Sequence, residues 1–134
     1  MVISDIASYL EAKQVAKKGE NLFVEKFPGT PSECIALFET QGGEFHNSGA
    51  AIVGMKVVAR FDENYEAMRQ KLEEIDGVLK KIGDEEDSFA AFGETINGRK
   101  YFRVTPEFYG VEQLETQDNS RQIAKNYLIM TEEK

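Results

Sequence analysis

The chain has 134 residues, of which 41% are hydrophobic and 30% charged; 24 acidic against 16 basic side chains give a formal net charge of −8. That size and composition predict one globular domain spanning residues 1–134, whose core needs neither disulfide nor metal. The charge argues against a nucleic-acid surface, which requires clustered Lys and Arg, whereas the longest basic runs are only Lys17-Lys18 and Lys80-Lys81.

At the start, Ile3, Ile6, Ala7 and Leu10 fall at i, i+3, i+4 and i+7, one face of an amphipathic helix over about residues 2–13. Met1-Val2-Ile3-Ser4-Asp5 lacks the basic start and apolar stretch of a signal peptide. No apolar run approaches the ~20 residues of a membrane span, so a reducing cytoplasm is the expected site of synthesis. Gly19 ends the lysine-containing connection that follows. Leu22-Phe23-Val24 reads as a short strand stopped by Pro28 and Pro31, and Cys34-Ile35-Ala36-Leu37-Phe38 as a buried one. Cys34 is the single cysteine; it excludes an intrachain disulfide and reads as a small core residue.

Gln41 to Gly49 contains three glycines and one large apolar side chain, Phe45, beside the single histidine, His46. It reads as a long loop for so small a domain. From Ala51 the pattern alternates: Ala51, Val53, Met55, Val57, Ala59 and Phe61 point one way, and Ile52, Gly54, Lys56, Val58 and Arg60 the other, as in a sheet covered on one side. Asp62 is the expected N-cap of a second helix. Tyr65, Met68, Leu72, Ile75, Leu79 and Ile82 follow at helical spacing, and Gly83 is the expected stop. The four acids Asp84 to Asp87 read as a solvated loop, because calcium loops alternate ligands with spacers and this run does not.

Asn97-Gly98 between two strand-like runs predicts a two-residue hairpin turn, with Ile96 opposite Arg99 and Thr95 opposite Lys100. Unbroken alternation then sends Phe89, Ala91, Phe102 and Val104 to the core. Phe92, Glu94, Tyr101 and Arg103 go to a mixed outer face of the kind common at protein interfaces. Pro106 closes the strand, residues 107–119 read as irregular, and residues 121–131 as a last strand before a polar tail. The order of elements predicts an α+β domain: one mixed, mostly antiparallel sheet with two helices packed on one face.

The common chemistries lack their signatures. There is no Gly-rich phosphate loop, no metal-ligand set from one His and one Cys, and no Ser-His-Asp arrangement. No cofactor and no catalysis are therefore expected.

As a set, Gly19-Glu20-Asn21-Leu22-Phe23-Val24, Pro28 and Pro31, Ile35-Ala36-Leu37 running into Gly42-Gly43, Asn97-Gly98-Arg99 before Tyr101, Pro106 and the closing Asn126-Tyr127 resemble the phage minor capsid protein family, of the tail terminator (tail-to-head joining) type. The resemblance covers nearly the whole chain; residues 107–119 depart from it by being longer. It implies a subunit of a hexameric ring at the tail-head junction of a virion, in contact with tail tube and head connector proteins. DNA passes through such a ring without specific recognition, and no membrane, cofactor or catalysis is involved. Phe45, His46, Phe92, Tyr101 and Arg103 are the candidate assembly contacts. A small-ligand-binding or regulatory α+β domain is the alternative reading, and it would need a pocket with convergent polar groups.

Overall fold

A computed structural model describes residues 2–27, 33–40, 50–82, 94–107, 112–114 and 121–132. They contain helices α1 (Val2–Ala12) and α2 (Tyr65–Leu79) and strands β1 (Leu22–Val24), β2 (Cys34–Thr40), β3 (Ala50–Phe61), β4 (Glu94–Ile96), β5 (Arg99–Pro106), β6 (Glu112–Leu114) and β7 (Arg121–Glu132). The strands form one sheet in the order β1-β2-β3-β7-β5-β4, with β6 also paired to β7. Among the named strands only β1 and β2 pair in parallel, and every other strand pairing is antiparallel; an isolated parallel bridge joins Lys18 to Leu22. This is the α+β architecture that the element order predicts.

The periodic residues build the core. Ile3, Ile6, Ala7 and Leu10 of α1 and Leu72, Ile75 and Leu79 of α2 meet Leu22, Ile35, Leu37, Met55, Val57, Ala59, Ile123, Tyr127 and Ile129 in one cluster, so both helices occupy the same face of the sheet. α1 contacts β1 and β2 at one edge and β4 at the other, while α2 lies on β3 and β5. The sheet therefore curls around its helical layer, as strongly twisted sheets do.

Local punctuation sets the elements' ends. Gly19 has φ +83° and its N–H donates to the Leu22 carbonyl, a backbone geometry that glycine adopts without strain. Glu25, at φ +64°, ends β1, and its carboxylate accepts the Glu39 N–H of β2 at 2.8 Å. The hairpin turn is as expected: Asn97 and Gly98 both have positive φ (50° and 82°), with Ile96 opposite Arg99.

Three expectations change. α2 begins at Tyr65, preceded by Asn64, so Asp62 is not its cap; the Asn64 side chain makes no capping bond and donates instead to Glu33. β6 adds a short strand inside the stretch read as irregular, paired with β7 just beyond the β5 register. The sheet face away from the helices is also more buried than a face open to water. Cys34, Ala36, Val58 and Ala124 lie on it by alternation and are each 2% exposed or less. The Gly83 stop, the Asp84–Asp87 run and the strand positions Phe89 and Ala91 lie outside the described residues.

Candidate functional site

Of the five candidate contacts, Phe45, His46 and Phe92 lie outside the described residues. The other two are adjacent-but-one on β5, and the structure separates them. Tyr101 pairs with Thr131, and the next pairing is Arg103 with Met130, so Phe102 and Arg103 together oppose Met130 in a β-bulge. The extra residue breaks the alternation. Tyr101 is fully buried in the core with Val104, while Arg103 is exposed on the face away from the helices. Tyr101 thus belongs to the core and not to the outer face that unbroken alternation assigns to it.

Tyr101 has a partner of its own. Its hydroxyl donates to Asp5 Oδ2 on α1, and Asn97 Nδ2 of the hairpin turn donates to Asp5 Oδ1 at 3.0 Å. On α2 the pattern recurs: Tyr127 of β7 donates to Asp76 Oδ1 at 2.7 Å, with Lys125 Nζ at 3.2 Å from the same oxygen and Lys80 Nζ at 2.8 Å from Oδ2. Each helix is thus tied to the sheet by a buried carboxylate that accepts a phenol. Burial alone would raise the Asp76 carboxyl, but the hydrogen bonds from Lys80, Tyr127 and Lys125 outweigh it and hold that group below its ordinary value. Both phenols are pushed up, by burial first and then by the hydrogen bond and charge of their aspartates.

Around Arg103, the outer face carries Thr105 opposite Leu128, Ile52 opposite Met130, and Lys56 between Phe38 and Asn126. At its β1–β2 end the Arg60 guanidinium lies over the Phe27 ring at 4.8 Å, and Phe27 packs on Phe38 with ring centroids 5.8 Å apart. The buried Cys34 thiol is pushed up by desolvation, against the opposing pull of Arg60. A thiol held in its neutral form there is a packing group.

The helix side carries a groove between α2 and the chain that leads from α1 to β1. One lobe, of about 320 Å³, is lined by residues including Glu33, Cys34, Ile35, Met68, Lys71 and Glu74. An adjoining lobe of about 470 Å³, lined by Glu11, Gln14 and Lys17 among others, shares Asn21 and Lys71 with it. The Lys71 ammonium donates to the Val15 carbonyl and stands 3.7 Å from Glu74. Sequence reasoning named none of these residues as a candidate contact. Among the described residues no three His, Cys, Asp or Glu side chains are grouped to hold a metal ion, and no described helix is long and apolar enough to cross a membrane.

No family model and no curated protein matches the sequence. Among solved structures, the chain is similar to a chain of the virion of a native gene transfer agent (GTA) particle, at 12% identity and a TM-score of 0.65, over 95% of this chain and 91% of the other. At that identity the likeness establishes a shared fold along the length of both chains.

Proposed function

We propose that this chain is a structural, non-enzymatic subunit of a tailed-phage or prophage-like virion, assembled as a hexameric ring that terminates the tail tube and joins it to the head connector. The observation that carries the reading is the likeness to a GTA virion chain, which takes in 95% of this chain and 91% of the other. The residue-level resemblance to tail terminators supports the finer assignment. The proposed partners are further copies of the chain, the tail tube and the head connector, and the proposed location is the tail-head junction. Net charge −8 suits a ring through which DNA moves, since like charge keeps the strand from sticking. It also makes isolated subunits repel at low salt, so the free protein is monomeric or weakly associated and becomes hexameric on a tube.

The contacts proposed for assembly are Arg103 on the outer sheet face and Phe45, His46 and Phe92; the burial of Tyr101 removes it from that set. Electron microscopy of tails assembled with and without the chain tests the reading. The expected result is a six-fold ring at the head-proximal end of the tube, present only when the chain is supplied. A stable, salt-independent dimer whose interface blocks ring closure, or tails that join heads without the chain, overturns it.

A further inference from the structure

We infer that copies of this chain meet head to tail, the outer sheet face around Arg103 of one copy receiving the exposed side of α2 of the next. This contact rests on the ring reading and names the joint within the ring. The face away from the helices is the cationic side of an acidic chain. Among the described residues it carries Lys56, Arg60, Lys100 and Arg103 by alternation, against Glu107 and Glu132 at its ends. Glu132 already accepts the Lys100 N–H at 3.0 Å. Arg103 is exposed and has no ion pair among the described residues. Beside it Ile52, Phe102, Leu128 and Met130 are half-buried, and the Lys100 ammonium stands 5.9 Å from the centre of the Phe102 ring. An apolar patch rimmed by cations has the composition of a protein contact.

α2 presents the complement. Its exposed side runs through Glu66, Gln70, Glu73 and Gly77, at helical spacing opposite the buried Leu72, Ile75 and Leu79. Arg69 stands 3.8 Å from Glu73 and Lys71 3.7 Å from Glu74, whereas Glu63 and Glu66 are exposed and have no ion pair among the described residues. The acidic stretch ends beyond Gly77, at Lys80 and Lys81. Gly77 is exposed in the interior of the helix, where glycine weakens a helix relative to alanine. A Cβ built there meets nothing within 4 Å, so no close approach within the chain requires glycine. A neighbour that comes close to the helix backbone does. The two surfaces lie on opposite sides of one sheet. No single copy can bring them together, and a two-fold pair cannot join both at once. A repeated head-to-tail contact does, and such contacts close into rings or run on as filaments. Complementary charge fixes the register of the approach.

Sedimentation of the full-length protein at millimolar concentration and moderate salt reads the contact without a tail. Weak, open-ended association is expected of the parent. Glu66→Arg changes the net charge from −8 to −6, since one −1 becomes one +1, and so relieves general repulsion. It should nonetheless weaken association at least about fivefold, because it puts a cation against Arg103. Arg103→Glu should weaken it as well. An equal mixture of the two variants should recover it, because altered faces then meet each other and unaltered faces meet each other. Gly77→Gln should raise the melting temperature, as replacing a helix-interior glycine does, and weaken association. A parent that stays monomeric, a closed dimer as its end state, undiminished association by Glu66→Arg or Gly77→Gln, or a mixture no better than its components each overturns the proposal. Electron microscopy of tails keeps the two readings apart. Six-fold rings that Glu66→Arg forms as well as the parent retain the ring and reject this contact; association rescued by mixing, with no ring on tails, does the reverse.

Discussion

The phenol of Tyr127 on β7 donates a 2.7 Å hydrogen bond to Asp76 on α2, joining a central strand to the helix through a polar contact at the edge of an apolar core. Asp76 is 8% exposed and also holds Lys125 and Lys80, so the contact is one arm of a three-donor cluster. Tyr127→Phe removes that arm and leaves the two ammonium groups in place. The expected loss is about 1–2 kcal/mol, the low end for hydrogen bonds to charged groups because the carboxylate keeps other donors. Asp76→Asn should cost more, about 1.5–3 kcal/mol, because it leaves Lys125, only 14% exposed, without its counter-charge. Thermal melts rank the two, and a Tyr127→Phe loss larger than that of Asp76→Asn contradicts the account.

The same cluster sets an acid limit on stability. Asp76 in the fold lies below its ordinary value, so the folded state binds a proton there less readily than the unfolded chain. The stabilisation is therefore complete above the unfolded value of about 3.9 and is lost as the pH falls through the folded value below it. Between pH 5 and 8 this group contributes no slope. Denaturant midpoints measured from pH 6 downward should fall below pH 4 in the parent and flatten in Asp76→Asn. An equal slope in both proteins assigns the acid sensitivity to other carboxylates.

Gly98 tests the hairpin that carries Tyr101 and Arg103. At φ +82° it holds the second turn position, and a Cβ built there meets nothing within 4 Å. Gly98→Ala is thus destabilising through backbone conformation alone, by about 1–2 kcal/mol, or roughly 3–5 °C in melting temperature for each kcal/mol in a domain of this size. An unchanged melting temperature would mean that the turn relaxes to negative φ without disturbing the Asn97–Asp5 bond.

Much of this architecture is legible in the residues. The α2 stripe is buried at Leu72, Ile75, Leu79 and Ile82 and half-buried at Tyr65 and Met68, because a 3.6-residue period and a single sheet face leave it one place to go. The Asn97-Gly98 register follows from a turn that few other pairs can form. The bulge is illegible for the opposite reason: one inserted pairing residue at Phe102 leaves no composition signal, yet it exchanges the faces of everything before it. The two aspartate–tyrosine ties had a signal that hydrophobic counting passes over. Asp76 stands four residues after Leu72 and three before Leu79, and Asp5 stands three after Val2 and four before Tyr9, so each acid lies on a buried helix face.

Arg103 is the candidate contact that the bulge leaves exposed, and its charge reversal tests the outer sheet face directly. The side chain sits opposite Met130, with the Thr105–Leu128 pair beside it, so it presents a cation at the border of part-buried apolar groups. That mixture suits an interface, where arginine is enriched and a few residues carry most of the energy. Arg103→Glu should melt within about 0.5 kcal/mol of the parent, as exposed substitutions do. It also changes the net charge from −8 to −10, since one +1 becomes one −1. Lys81→Glu makes the same change at the far end of α2 and separates a general repulsion from a local contact. Arg103→Glu should abolish ring formation on tails, Lys81→Glu should slow it only at low salt, and Arg103→Lys should restore part of it, because the charge returns without the planar donor fork. If Arg103→Glu assembles as well as Lys81→Glu, the outer sheet face at β5 is not the joint, and Phe45 and His46 become the contacts to test.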